Sequence, residues 1–461
     1  MKIYHLLLVL VWSTLVLSSC DEFLDVNENV NAPTDVPVSA ILPASIERTS
    51  YAQFLLARQG NIVTQHIANV GSYPERLGSS GAWSTIYLNA IDDAKNIQEK
   101  AGTQSPYYVG VAKVLEAINL GALTDCWEDV PYSEAFKGTG ELTPKYDSQQ
   151  ELYNQIQRLL DEAITALSAD ESLLNPGSDD LIFGGDIDKW IKTAHTLKAR
   201  YMMHLSNKGM DANAILGELD QGIASNGDNF QLMYSAEHKN YWHDIALSNR
   251  TGNLSITQGD YLIEQMKNIV SGGDPRLPLI TQVPNDSIGG LNGKTVEADD
   301  EYNTDFTLTT WHSREDAPNV MVSFAEAKFL EAEAALSAGD KARAYQAYLD
   351  GIAAHMSMME VDQADMDAYL ADSLIAVGAD NIDLSHIMLQ KYFATYLTTE
   401  AWVDMRRHHY DPAIFPGFVP GDPYGLGVLQ RMDYPQSEFD RNGNNASAAK
   451  KDPDAVMWRD Q

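Results

Sequence analysis

The stretch Asp188–Asn207, "DKWIKTAHTLKARYMMHLSN", carries a helical periodicity. Trp190, Ala194, Leu197, Tyr201 and Leu205 recur at three- and four-residue spacing, which puts them on one face of an α-helix, with Asp188 placed as N-cap. Ser385–Arg407 carries two such rows, Leu389, Phe393 and Leu397 beside Met388, Tyr392 and Tyr396. Two adjacent apolar rows describe a helix covered on much of its circumference, hence one inside a larger helical assembly. Similar spacing predicts helices over Pro43–Asn69, Ala82–Lys100, Pro106–Thr124, Gln149–Ala169, Ala212–Ala224, Val320–Leu336 and Lys341–Met359. Trp190 and Trp402 fall within strongly patterned helices and read as core.

One pair of these segments has the character of a repeat. Ala325, Ala327, Ala332, Ala334 and Ala335 stand in the first, Gly339 ends it, and Asp340 is placed to cap the next. Small residues let two helices approach closely, and the pair approximates the tetratricopeptide period, although no strict 34-residue repeat is visible. The expected fold is therefore mainly α, a tetratricopeptide-like helix-turn-helix scaffold. Three stretches interrupt it, near 226–259, 272–310 and 412–433, rich in Gly, Pro, Asn and Asp with scattered aromatics. Long loops of that kind are where binding function tends to sit, so they are expected to form a loop-rich ligand-binding face, with a short strand at Phe306–Thr310.

The amino terminus adds a compartment. Leu6–Leu17 holds no charge, and at about 1.5 Å per residue its twelve residues reach about 18 Å, short of a bilayer core of roughly 30 Å. That marks a signal-peptide core rather than a stable span. It leads into Leu17-Ser18-Ser19-Cys20, a bacterial lipobox, in which the cysteine becomes the acylated N-terminus. The expected division is residues 1–19 as signal peptide, 20–42 as tether and 43–461 as a single helical domain. With Cys20 acylated, the other cysteine, Cys126, has no intrachain partner. The 65 acidic against 32 basic residues, a formal net charge of −33, argue against nucleic acid and against a polybasic lipid patch.

Eight segments in order resemble the SusD/RagB family of outer-membrane nutrient-binding lipoproteins. They are "NVNAPTDVPVSAILPAS" (Asn29–Ser45), "TDCWEDVPYSEAFKG" (Thr124–Gly138), "YDSQQELYNQI" (Tyr146–Ile156) and "IFGGDIDKWIKTAHTLKARYMMHLS" (Ile182–Ser206). "GGDPRLPL" (Gly272–Leu279), "FAEAKFLEAEAAL" (Phe324–Leu336), "EAWVDMRRHHYD" (Glu400–Asp411) and "RMDYPQSEFDRNGNN" (Arg431–Asn445) complete the set. Glu128 departs from the pattern, since relatives usually carry glycine before Asp-Val-Pro, and this puts the turn geometry there in question. The resemblance implies a helical-repeat core beneath a ligand face, and oligosaccharide or, for some members, peptide ligands. It implies no catalysis and no cofactor. Its implied partner is a SusC-like TonB-dependent outer-membrane transporter, and its implied location is the outer membrane, lipid-anchored and facing the cell exterior. Asp21 and Glu22 look like the family's surface-export signal.

A neutral sugar is held by flat apolar surfaces against its C–H face and by planar polar groups at its hydroxyls. The candidates are aromatics in the loop stretches: Trp83, Trp242, Trp311, Tyr73 and Tyr241, with Arg76 as a planar donor. Each has a competing reading as packing, since tryptophan is usually largely buried. Arg406–His409, "RRHH", reads as a helix end paired by Asp404 and Glu400, because adjacent histidines do not share a helix face as metal ligands would. Asp125, Glu128, Asp129 and Glu134 lack the spacing of an EF-hand loop, so no metal site is expected. No nucleophile elbow, HExxH or P-loop occurs. The competing functions are a structural interaction scaffold and an all-helical glycosidase, which would need two carboxylates across a cleft.

Overall fold

The computed structural model describes residues 36–69, 73–209, 211–252, 256–281, 304 and 307–461. The signal peptide, Cys20 and most of the tether lie outside these residues. From Val38 to Gln461 the chain forms one compact unit. Its helices are α1 (Val38–Val63), α2 (Ser80–Thr85), α3 (Ile91–Ala101), α4 (Pro106–Trp127), α5 (Gln149–Leu167), α6 (Ile187–His204), α7 (Ala212–Leu219), α8 (Tyr241–Arg250) and α9 (Asp260–Asn268). They continue as α10 (Leu277–Ile280), α11 (Phe324–Ser337), α12 (Lys341–Met358), α13 (Gln363–Ala371), α14 (Leu384–Ala394), α15 (Glu400–Arg407), α16 (Gln436–Arg441) and α17 (Gly443–Ala449).

Sequence neighbours pack on each other: α3 on α4, α4 on α5, α5 on α6, α6 on α7, and α11 on α12. The mainly helical, tetratricopeptide-like architecture expected from the periodicity is what forms. Small residues make the close approaches. A Cβ on Gly110 of α4 would collide with Leu167 of α5, and one on Gly351 of α12 would lie 2.9 Å from the Phe329 ring of α11. Ala332, Ala334, Ala335, Ala344 and Ala347 are buried in the same cluster. Gly339 ends α11 at φ +83°, and the Asp340 side chain accepts from Arg343 N at 3.0 Å to begin α12.

The described strands are short and pair antiparallel: β1 (Ile67–Asn69) with β5 (Ile256–Gln258), β2 (Val130–Pro131) with β3 (Tyr146–Asp147), and β4 (Phe230–Leu232) with β6 (Asn319–Val322). They tie distant loops together. The expected strand at Phe306–Thr310 begins outside the described residues, and Thr307–Thr310 is not extended into a strand. The stretch read as loop near 226–259 contains α8, β4 and β5 as well.

Three helix boundaries differ for identifiable reasons. Helix α1 starts at Val38 and carries Pro43 inside its second turn. The missing N–H costs one bond beside Ser39, which is exposed to solvent. Helix α6 is capped by Asp186, which accepts from Lys189 N, rather than by Asp188. Ser385–Arg407 is two helices, because Leu397 takes φ +62°. Asn61 from α1 holds that break: its Oδ1 accepts from Leu397 N at 3.2 Å and its Nδ2 donates to Thr398 O at 2.7 Å.

The core is laced with paired charges. Asp125 pairs with Arg459 and lies 3.5 Å from His204 Nδ1, whose Nε2 lies 2.9 Å from Glu400. Glu400 lies 3.6 Å from Arg200, which forks onto Glu326 at 2.5 and 2.6 Å. A second knot joins Arg407 to Glu333 and to Asp404 at 2.8 Å, with Lys391 on Asp404 at 3.0 Å. "RRHH" is thus a helix end, as expected, but a buried one: Arg406 lies 3.8 Å over the Trp402 ring and donates to Gln430 O at 2.6 Å. Glu400, expected to pair with these arginines, serves Arg200 and His204 instead.

Candidate functional site

Helix α2 runs into α3 through a π turn, Ile86–Ala90, closed by Ile91 N donating to Ile86 O. Such an inserted residue rotates the side chains on either side, and π turns recur at functional sites. Here Tyr87 and Leu88 come to line a cavity of about 380 Å³. The opposite wall is the Pro131–Asp147 segment, pinned at both ends by the β2–β3 pairing and contributing Pro131, Ala135, Leu142 and Pro144. Helix α16 and its end close the rim with Ser437, Glu438, Arg441 and Asn442.

The floor is rigid. Trp83 is 6 % exposed and packs on Tyr87, Trp127 and Tyr434 at ring separations of 4.8, 5.2 and 5.9 Å. Tyr87 donates its hydroxyl to Pro131 O at 2.6 Å, and burial holds its pKa well above the ordinary value, so it stays a neutral donor. Asn442 Nδ2 donates to Pro144 O at 2.7 Å, and Glu438 accepts from Tyr146 OH at 2.9 Å. The mouth is different in kind. Leu88 and Leu142 are 71 % and 73 % exposed, and Arg441 forms no ion pair or hydrogen bond among the described residues. Solvent-facing leucines beside a free guanidinium over a fixed aromatic floor offer apolar contact and directed hydrogen bonding together.

Trp83 is the sequence-derived candidate that lines this cavity. Trp242, 3 % exposed, stacks edge-on to Phe54 at 4.9 Å and borders a separate space of about 30 Å³ that shares no residue with the first. Trp311, 5 % exposed, packs against His312 at 4.7 Å. Tyr73 is buried, with burial pushing its pKa up to about 12. Tyr241 is half-buried and donates to Glu47. Arg76 is exposed and pairs with Asp433 at 3.2 Å. Trp242, Trp311 and Tyr73 are thus covered by aromatic neighbours or backbone, the packing arrangement weighed for each of them. Tyr87, Leu88, Leu142, Arg441 and Asn442 were not singled out from sequence.

Asp125, His204 and Glu400 bring ligand atoms within 4.8 Å of one another, a spacing open to a metal. Arg459 and Arg200 already balance these carboxylates, and a dication among guanidinium groups would be repelled. Glu128 takes φ +75°, a region that favours glycine. Its carboxylate pairs with Arg431 and with Lys451 at 2.7 Å, and accepts from Trp458 N at 2.5 Å. Those three partners hold the strained turn.

Fold and cavity define an α-helical repeat scaffold carrying an open, aromatic-floored cleft. The chain belongs to the SusD-like family described as starch-binding and associating with the outer membrane, whose model matches residues 42–435. It is similar to a SusD/RagB family protein from Bacteroides thetaiotaomicron, with TM-score 0.78 and 23 % identity over 92 % of this chain and 99 % of that one. A chitin-binding SusD homologue from Flavobacterium johnsoniae gives TM-score 0.75 and 19 % identity over 92 % and 98 %. A SusD homologue from Bacteroides fragilis gives 0.71 and 22 % over 92 % and 100 %. No functionally curated protein matches the sequence. The family read from the eight motifs, and the fold it implied, are both borne out. No helix among the described residues is long and apolar enough to cross a membrane.

Proposed function

We propose that this protein captures a neutral oligosaccharide in the Trp83–Leu88–Leu142 cleft and passes it to a SusC-like TonB-dependent transporter without chemical change. Acylated Cys20 anchors it to the outer membrane, on the exterior face. The observation that supports this most is the mouth of the cleft, where Leu88 and Leu142 stand exposed beside uncommitted Arg441. Exposed leucines find their use against the C–H face of a sugar, and a guanidinium fork suits paired hydroxyls. The family's starch-binding description and the chitin-binding relative favour glycans over peptides.

Calorimetry of the full chain in mild detergent against maltoheptaose, chitohexaose and a peptide panel tests this. Binding of either glycan, weakened in Tyr87→Ala and Arg441→Ala, is expected. Binding of peptides alone overturns the ligand class, and turnover of a bound glycan overturns the non-catalytic role. Isolation from detergent-solubilised membranes without a barrel partner overturns the transfer step.

A further inference from the structure

On the other side of the Pro131–Asp147 segment lies a second cavity of about 570 Å³. Phe136 lines it and stacks at 5.9 Å on Tyr87, which lines the first. Its character is opposite. Lys95, Lys137, Lys145 and Arg158 all border it, in a chain where acids outnumber bases two to one. With that excess, cations are expected to find carboxylates, and two of these do not.

Lys95 is held by Glu116 at 2.5 Å and sits 4.8 and 5.1 Å from the Tyr132 and Phe136 ring centroids. Lys145 pairs with Asp147 at 3.0 Å. Lys137 and Arg158 form no ion pair among the described residues. Gln155 Oε1 accepts from Arg158 Nε and Nη2 at 3.2 and 2.6 Å, which fixes the guanidinium plane and leaves Nη1 uncommitted. The two lining carboxylates are engaged. Asp147 also accepts from Tyr132 N, Ser133 N and Ser133 Oγ at 3.0, 2.7 and 2.7 Å. Glu151 is bound up with Ser148 N and Oγ at 3.0 and 2.8 Å in the cap of α5.

We propose that this cavity is a second binding site, for a saccharide bearing carboxylate or sulfate groups. Lys137 and Arg158, which form no ion pair among the described residues, supply the charge, and Ser133 and Gln155 supply neutral polar contacts. The volume suits sugar rings rather than a bare inorganic anion. Because the protein as a whole is strongly acidic, attraction is confined to contact range, within about one Debye length of 8 Å at physiological salt. The site therefore selects acidic sugars by touch, not by long-range steering.

The test titrates the full chain at low salt with tri-galacturonate, a sulfated chondroitin tetrasaccharide, sodium sulfate and neutral maltoheptaose. At least one acidic sugar is expected to bind, and to bind more weakly as salt rises. The exposed-residue variant Lys137→Glu/Arg158→Glu should lose about tenfold in that affinity, with an unchanged unfolding midpoint and unchanged maltoheptaose binding. Acidic sugars binding no better than maltoheptaose, an unaffected double variant, or sodium sulfate binding as tightly as the sugars would each overturn it. Neutral binding without acidic binding removes this site alone, whereas loss of maltoheptaose binding speaks to the first cleft.

Discussion

Arg407 and Arg441 show what two regions of one molecule do with the same side chain. Arg407 is buried between Glu333 and Asp404, with Lys391 completing the knot. Arg441 stands exposed at the cleft with no partner among the described residues, flanked by leucines that water already covers. In the core Arg407, Arg200 and Arg459 each meet an answering carboxylate, and that geometry is spent on holding helices from distant parts of the chain in register. At the cleft mouth Arg441, Leu88 and Leu142 are left unanswered, so their interactions remain available to a ligand. The difference teaches that function here is found where pairing stops.

The largest effect should come from breaking the core. Arg407→Ala leaves Lys391 as the one lysine or arginine among the described residues for two buried carboxylates, Glu333 and Asp404, and should cost roughly 3–5 kcal/mol in denaturant unfolding, far above anything a cleft variant does. A loss under 1 kcal/mol would erase the contrast. Glu128→Gly comes next. It relieves the φ +75° strain but leaves buried Arg431 without its carboxylate, so a net loss of roughly 2 kcal/mol is expected. Stabilisation by this change would mean the ion pairs count for less than the strain.

A subtler effect is a pH dependence centred on His204. Burial opposes its charge, yet Asp125 and Glu400 outweigh burial and raise its pKa above the ordinary 6.5. Its contribution is full below 6.5 and fades as pH rises through the raised folded value. Burial likewise opposes the charges of Asp125 and Glu400. Arg459 and His204 for the first, and Arg200 and His204 for the second, outweigh it and lower both pKa values. Their contributions hold above the ordinary values of 3.8 and 4.5 and fade as pH falls. The network is therefore complete between about 4.5 and 6.5. The stability gap between wild type and His204→Gln should shrink from mildly acidic to alkaline pH. A constant gap would remove the imidazolium from the account.

Much of this scaffold is legible in the sequence, and the rest is hidden for physical reasons. Apolar periodicity is local, so Trp190, Leu197 and Tyr201 announce α6 unaided. The break at Leu397 is invisible because the rows of Met388 and Leu389 continue straight through it, and the Asn61 side chain that enforces it lies on α1. Arg407 reads as a helix end paired from its own helix, and its partner Glu333 comes from another helix far along the chain. At the cleft the problem inverts. Tryptophan is a natural sugar platform, but its area makes it the residue a core claims first, as buried Trp242 and Trp311 illustrate. Leu88 and Leu142 carry no signal in a one-dimensional reading, since a π turn and a two-residue strand pairing decide that they face water.

The central claim is that the cleft binds through groups the fold does not need. Leu88→Ser/Leu142→Ser tests it most directly, by maltoheptaose and chitohexaose calorimetry beside denaturant unfolding of the same samples. The expected result is an unfolding free energy within about 0.5 kcal/mol of wild type and an affinity about tenfold weaker for whichever glycan binds. Wild-type affinity in the folded double variant would contradict the account.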